Sequence, residues 1–255
     1  MRKLGYLVVE GPHDVEFACR LLKDRANLAR VSKEDQLESP LRHLVPSKFP
    51  HDGDLLKRVP VPTFLQNADL AVAVHSAGGD SKIADCLIDT FTLLSPSDFI
   101  AVGAILDSDS KKTPTERHAQ LLTLAKDASI SFPALPGVVS TGTPRCGVYV
   151  LPDNVALGTL EDLLIECGEA VYPHHLQAAK DFIASAMPHC PKPSFKDLHL
   201  PAGQKKALVG SISTLLRPGK AVQVSIQDND WLGTEGLKLD RPKQIVAFFD
   251  ELFGL

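Results

Sequence analysis

Three near-continuous apolar runs constrain this chain more than any other feature. They are Tyr6–Val9, the start of "LAVAVHSAGGD" (residues 70–80), and "FIAVGAILDSDS" from Phe99. Each is too unbroken for a strand with one wet face, and stretches of helical periodicity separate them. Val15, Ala18, Cys19 and Leu22 recur at helical spacing after the first run. Ile83, Leu87 and Phe91 do so after the second, and Leu121, Leu122 and Ala125 after the third. Apolar strands alternating with amphipathic helices predict an α/β fold whose mainly parallel sheet is covered by helices on both faces. In such sheets functional groups gather beyond the carboxyl ends of the strands.

Local signals mark the element ends. Gly11 and Pro12 have the form of an N-cap and first helical residue, giving a helix to about residue 24. Asp80 is placed to cap the second helix. Thr113-Pro114-Thr115-Glu116 has the form of a capping box with Pro at N1, and Thr159 with Asp162 forms another. Residues 30–67, rich in Pro, Ser and Lys, are too long for a plain loop and read as an insertion. Residues 133–151 carry two short β-like stretches around Gly142. The expected organisation is a catalytic α/β domain over residues 1–170 and a mostly helical extension over 171–255 packed on it. Helices are expected over 171–187, 205–216 and 242–253. The last has an apolar stripe of Ile245, Phe249, Leu252 and Phe253, and this tail and Trp231 read as core.

Composition narrows the function classes. Among 255 residues, 44% are hydrophobic and 23% charged, ordinary for a globular protein. No apolar run approaches the ~20 residues that span a bilayer. Met-Arg-Lys-Leu passes straight into a strand pattern, so a cytoplasmic protein without membrane attachment is expected. Five scattered cysteines without a Cys-x-x-Cys pair argue against a disulfide framework or zinc ribbon, and the nine histidines lack ligand spacing. The net charge of −4 means that a nucleic-acid partner must be met by a local patch or by bound cations.

The acids carry the chemical signal. Glu10 finishes a buried strand, where a Glu is poorly placed for structure alone. Asp14 follows one helical turn later, where it also suits the helix dipole. Asp107 and Asp109 end the third apolar run, and in an extended segment their carboxylates share one side. Acids held that close repel unless a cation sits between them. Asp162 has a local capping job, which leaves Glu161 as the better functional candidate. Lys82, Lys111 and Lys112 follow strand ends where a phosphate could be met, although solvated lysine is the ordinary reading of each. His13, His75 and His118 lie near the same edge as isolated histidines. A hard-oxygen pocket of this kind selects Mg²⁺, Mn²⁺ or Ca²⁺ over zinc and suits phosphoryl chemistry.

The pairing of "LVVEGPHDV" with "AILDSDS" resembles the Toprim fold over residues 4–167. Asp14, "AGGDSKI" and "GTLEDLL" are most similar to its overcoming-lysogenization-defect (OLD) nuclease branch. The whole chain also resembles an uncharacterised bacterial Toprim family. The resemblance implies a nuclease that hydrolyses DNA or RNA with two Mg²⁺ or Mn²⁺ ions. Glu10 would be metal ligand or general acid/base, Asp107 and Asp109 would hold one metal, and Asp14 and Glu161 would complete a second site. Lys205 or Lys206 would match a catalytic lysine of that branch. OLD enzymes carry an ATPase domain, whereas this chain has no Gly-x-x-x-x-Gly-Lys-Ser/Thr, so any ATPase would be a separate partner. It also lacks primase-type zinc ribbons and is too short for a topoisomerase. Two other readings stay open. One is a non-catalytic Toprim module that binds nucleic acid or a partner ATPase. The other is a haloacid-dehalogenase-like phosphatase, which also uses Asp-x-Asp but normally ends its first strand on Asp.

Overall fold

The structure, a computed structural model, describes residues 2–48, 53–55, 61–109 and 112–255. Strand β1 (Lys3–Val9) leads into α1 (Pro12–Ala26), followed by β2 (Ala29–Arg30), a short α2 (Ser39–Arg42), β3 (Thr63–Gln66) and β4 (Leu70–Ser76). Next come α3 (Ile83–Leu93), β5 (Ala101–Asp107), α4 (Pro114–Leu124) and β6 (Arg145–Leu151). Helices α5 (Leu160–Val171), α6 (Pro173–Ala186), α7 (Pro201–Leu216), α8 (Val222–Asp228) and α9 (Asp240–Phe253) complete the chain.

Among the described residues the strands form a six-stranded sheet in the order β2-β3-β4-β1-β5-β6. Strands β4, β1, β5 and β6 are parallel, as the apolar runs predict. Strand β3 comes from within the stretch read as an insertion and pairs antiparallel to β4, with β2 antiparallel to β3. The chain leaves β1 towards β4 and later returns across it to β5. The crevice at their carboxyl ends is therefore the topological switch point, where α/β sheets bind ligands.

Side-chain alternation sorts the sheet's two faces into two cores. Leu7, Val9, Val72, Val74 and Ile105 pack in one layer with α1 and α5–α9. Tyr6, Val8, Ala71, Ala73, Ala104 and Leu106 pack in the other with α2–α4. Helix α9 lies almost on the sheet backbone. A Cβ added to Gly103 of β5 would sit 2.6 Å from Leu252, and one added to Gly147, its partner on β6, 2.8 Å from Phe248. Glycine costs a strand conformational entropy, and here its bare backbone makes room for the helix. Trp231 is fully buried in this layer, as the sequence suggests.

Candidate active site

Four chain segments meet at the carboxyl edge of β1 and β5. Glu10 directly follows β1, and Gly11, in extended backbone, caps α1. Asp14 closes that turn, its Oδ2 accepting the Gly11 amide at 2.9 Å. The turn after β4 anchors to the same point, since the Gly78 and Gly79 amides donate to the Glu10 carbonyl at 3.1 and 3.0 Å. Both glycines have positive φ (77° and 138°), which side chains rarely tolerate. Asp107 ends β5, and its amide donates to Glu10 Oε1 at 3.0 Å. Its own Oδ1 accepts the amide of Leu160, the first residue of α5, at 3.0 Å. Glu161 follows, with Oε2 accepting the Thr159 hydroxyl at 2.8 Å. The result is a cavity of about 380 Å³ lined by Glu10, Asp14, Asp107, Glu161, His13 and Lys206 with the glycine turn.

Burial dominates the electrostatics. It pushes the Glu10 carboxyl up to about 7, with Asp14 and Asp80 adding to the rise and the Asp107 amide and Arg117 opposing it. Burial likewise raises Asp14 to about 6, helped by Glu161. Asp107 stands well above the usual carboxylate range, through burial and then the charges of Asp14, Glu10 and Glu161. Glu161 goes the other way. Burial again pushes up, but contacts with His13 and Thr159 outweigh it and hold the carboxyl below its ordinary value. His13 stands 3.9 Å from Glu161, an ion-pair separation. Neighbouring carboxyls with opposite shifts are the pattern expected where one keeps a proton and another keeps its charge. Among the described residues no three His, Cys, Asp or Glu side chains, as they are placed, form a group that could hold a metal ion.

Several sequence expectations change here. Asp109 does not continue the extended alternation from Asp107, although its charge still acts on Asp107 and Arg117. The strand stops at Asp107, the Ser108 hydroxyl turns inward to bond Gly158, and Asp109 adopts a left-handed φ of 58° and is exposed. Its carboxylate stays outside the cavity lining. Lys205 is engaged elsewhere, 2.7 Å from Asp162, while Lys206 lines the cavity. Asp162 also accepts the Thr159 amide at 2.9 Å, the capping box expected from the sequence. Asp162→Ala should therefore cost about 1–2 kcal/mol in thermal denaturation. An unchanged melting temperature would remove that dual role. Lys82 lines a separate cleft, Lys112 bonds Gln120, and Lys111 lies outside the described residues. His75 joins Tyr6, and His118 is buried in the α4 layer.

Arg117 was not visible as a site residue. It lies on α4 with its side chain 6% exposed, donating through Nε to the Asp107 carbonyl at 3.0 Å and through Nη2 to Glu10 Oε1 at 3.4 Å. Nη2 also bonds Asp80. Asp80, expected as a helix cap, instead opens the short 3-10 turn Asp80–Lys82 before α3, and its carboxylate bonds Arg117.

Comparison with known proteins places the chain. Residues 5–254 match the model of a family described as "Protein of unknown function (DUF3226)". The chain belongs to the DUF3226 family. The DUF3226 match runs from β1 to α9, so the acidic cavity and the helices supporting it fall within it. The fold is similar to the crystal structure of hypothetical protein PH0156 from Pyrococcus horikoshii OT3. Identity is 16%, coverage is 99% of this chain and 95% of that one, and the TM-score is 0.55. At that identity the likeness shows the fold alone. No curated protein matches. Among the described residues no helix is long and apolar enough to cross a membrane.

Proposed function

We propose that the protein is a divalent-metal-dependent nuclease of the Toprim type, hydrolysing phosphodiester bonds in DNA or RNA. One observation carries this reading: half-buried carboxylates from the ends of β1 and β5 and buried ones from the starts of α1 and α5 converge on one cavity. Their donor chemistry fits two Mg²⁺ or Mn²⁺ ions, because all are hard oxygens that gain from a cation. One oxygen of each is oriented by a backbone amide or a hydroxyl, and Glu10, Asp14, Asp107 and Glu161 are the residues that would hold the ions. When bound, such ions neutralise phosphate and lower the pKa of a water. Glu10, titrating near neutrality, is suited to move a proton, and Lys206 to meet negative charge on the substrate.

The Arg117–Glu10 contact favours a second reading, a non-catalytic module in which arginine already supplies the positive charge. Incubation with plasmid, single-stranded DNA and structured RNA in Mg²⁺ or Mn²⁺ tests both. Cleavage that disappears in Asp107→Asn supports the nuclease. Binding without cleavage supports the module.

Metal binding has its own signature. Glu10 and Asp14 hold protons more tightly in the native state than in the unfolded chain. The stability they contribute is therefore fully present below their ordinary carboxylate values and is lost as pH rises through about 6–7. Mg²⁺ must displace those protons, so its stabilising effect should be large at pH 8 and nearly absent at pH 5. At a hundredfold excess over Kd it amounts to about 2.7 kcal/mol. A folded protein whose melting temperature ignores millimolar Mg²⁺ and Mn²⁺ at pH 8 would exclude the metal site.

A further inference from the structure

Arg117 is held on three sides. Its Nε bonds the Asp107 carbonyl (3.0 Å), Nη1 the Gln120 amide oxygen (3.3 Å) and Nη2 Glu10 (3.4 Å). The remaining partner is Asp80, whose side chain is 45% exposed while that of Arg117 is 6% exposed. Glu10 and Asp80 share the same nitrogen, Nη2. Whatever takes the place of Asp80 therefore lies beside Glu10, next to the glycine turn that walls the cavity. For that nitrogen a phosphate oxygen is a charge-assisted acceptor of the same kind as the Asp80 carboxylate oxygen.

We propose that Arg117 is an anion receptor for a substrate phosphate, and that the Asp80 carboxylate occupies this position until the phosphate displaces it. The identity of the anion rests on the phosphodiesterase reading; the receptor itself does not. The features of each partner suit the exchange. Arg117 is fixed by backbone and side-chain acceptors, so it need not move. Asp80 follows Gly78-Gly79 and already has nearly half its side chain in water. A side-chain rotation would release it to solvent, leaving a prepaid, desolvated cation for the incoming oxygens. Phosphate bound there would meet Arg117 on one side and the Glu10–Asp107 edge on the other.

The test uses orthophosphate as probe, titrated by calorimetry into the full chain in EDTA at neutral pH, with chloride matching ionic strength. Asp80→Asn, which removes the competing charge and keeps the shape, should bind orthophosphate at least about tenfold more tightly than wild type, the worth of one charge-assisted hydrogen bond. Adding Arg117→Lys should erase that gain, because lysine cannot keep the anchors to the Asp107 carbonyl and Gln120 and still aim a donor at the anion. The proposal is overturned if Asp80→Asn binds no tighter than wild type, or if the gain survives Arg117→Lys. It is also overturned if Asp80→Asn instead abolishes stabilisation by Mg²⁺, which would make Asp80 a metal ligand. Asp80 is half-exposed, so its variant carries little folding risk and decides the matter even if Arg117→Lys melts. Failure to cleave nucleic acid would count against the nuclease reading and leave this measurement standing.

Discussion

Glu10→Gln is expected to lose more than about a hundredfold in phosphodiester cleavage while melting higher than wild type in EDTA at pH 8. The two effects have one origin. Glutamine keeps an oxygen to accept the Asp107 amide and the Arg117 guanidinium, so the local geometry survives. What it removes is a charge that burial makes costly. The native carboxyl titrates at about 7 rather than near its usual 4.5, so ionised Glu10 weakens the fold at pH 8 by on the order of 3 kcal/mol. Glutamine mimics the protonated acid at every pH. Its advantage should therefore fade as pH falls from 7 to 4.5, where wild type recovers its proton. Melting curves across that range check the sign. A variant that melts lower than wild type at pH 8 and still cleaves would remove Glu10 from the centre of the site.

Trp231→Ala should be the most damaging single truncation, at about 3–5 kcal/mol. The side chain is fully buried, and its indole nitrogen donates to Ser225 Oγ at 2.9 Å. Its ring meets Tyr172 edge-on at 5.6 Å, and it lies so close to α5 that a Cβ on Gly168 would be 3.3 Å from it. Truncation opens a cavity and strands a buried hydroxyl, two penalties that add. Since α5 also carries Glu161, the loss should loosen the acidic cavity. Urea denaturation gives the magnitude, and a loss under about 1 kcal/mol would contradict this packing account.

The parallel core was legible because strands buried on both faces must be continuously apolar, and β1, β4 and β5 are. Strand β3 was not legible. "TFLQ" has two buried residues between two half-buried ones, and its place depends on pairing with β4 rather than on its own pattern. Within the site, Glu10, Asp14, Asp107 and Glu161 were visible because each sits at an element boundary that sequence marks well. Asp109 departs from the expected alternation with Asp107 because alternation holds only while the backbone stays extended, and the strand ends at Asp107. Lys205 and Lys206 differ by about 100° around one helix, which sequence alone cannot orient against a partner. Arg117 looks like any solvated helix arginine. Its burial arises from the packing of α4 over the end of β5, a long-range fact with no local signature.

The two cores on either side of the sheet have a consequence for how such a site can diverge. Asp14 and Glu161 arrive with helices seated in one core, whereas Arg117 arrives with a helix seated in the other. The sheet between them supplies only Glu10 and Asp107. The arginine support of Glu10 and the placement of Asp14 and Glu161 thereby answer to different cores. Repacking beneath α4 can retune the proton affinity of Glu10 while the distances among the acids stay as they are. Drift in the opposite core can widen or narrow the acid set at constant cationic support. A scaffold divided this way lets substitutions confined to one side of the sheet alter the arginine support while leaving the helices that carry Asp14 and Glu161 in place.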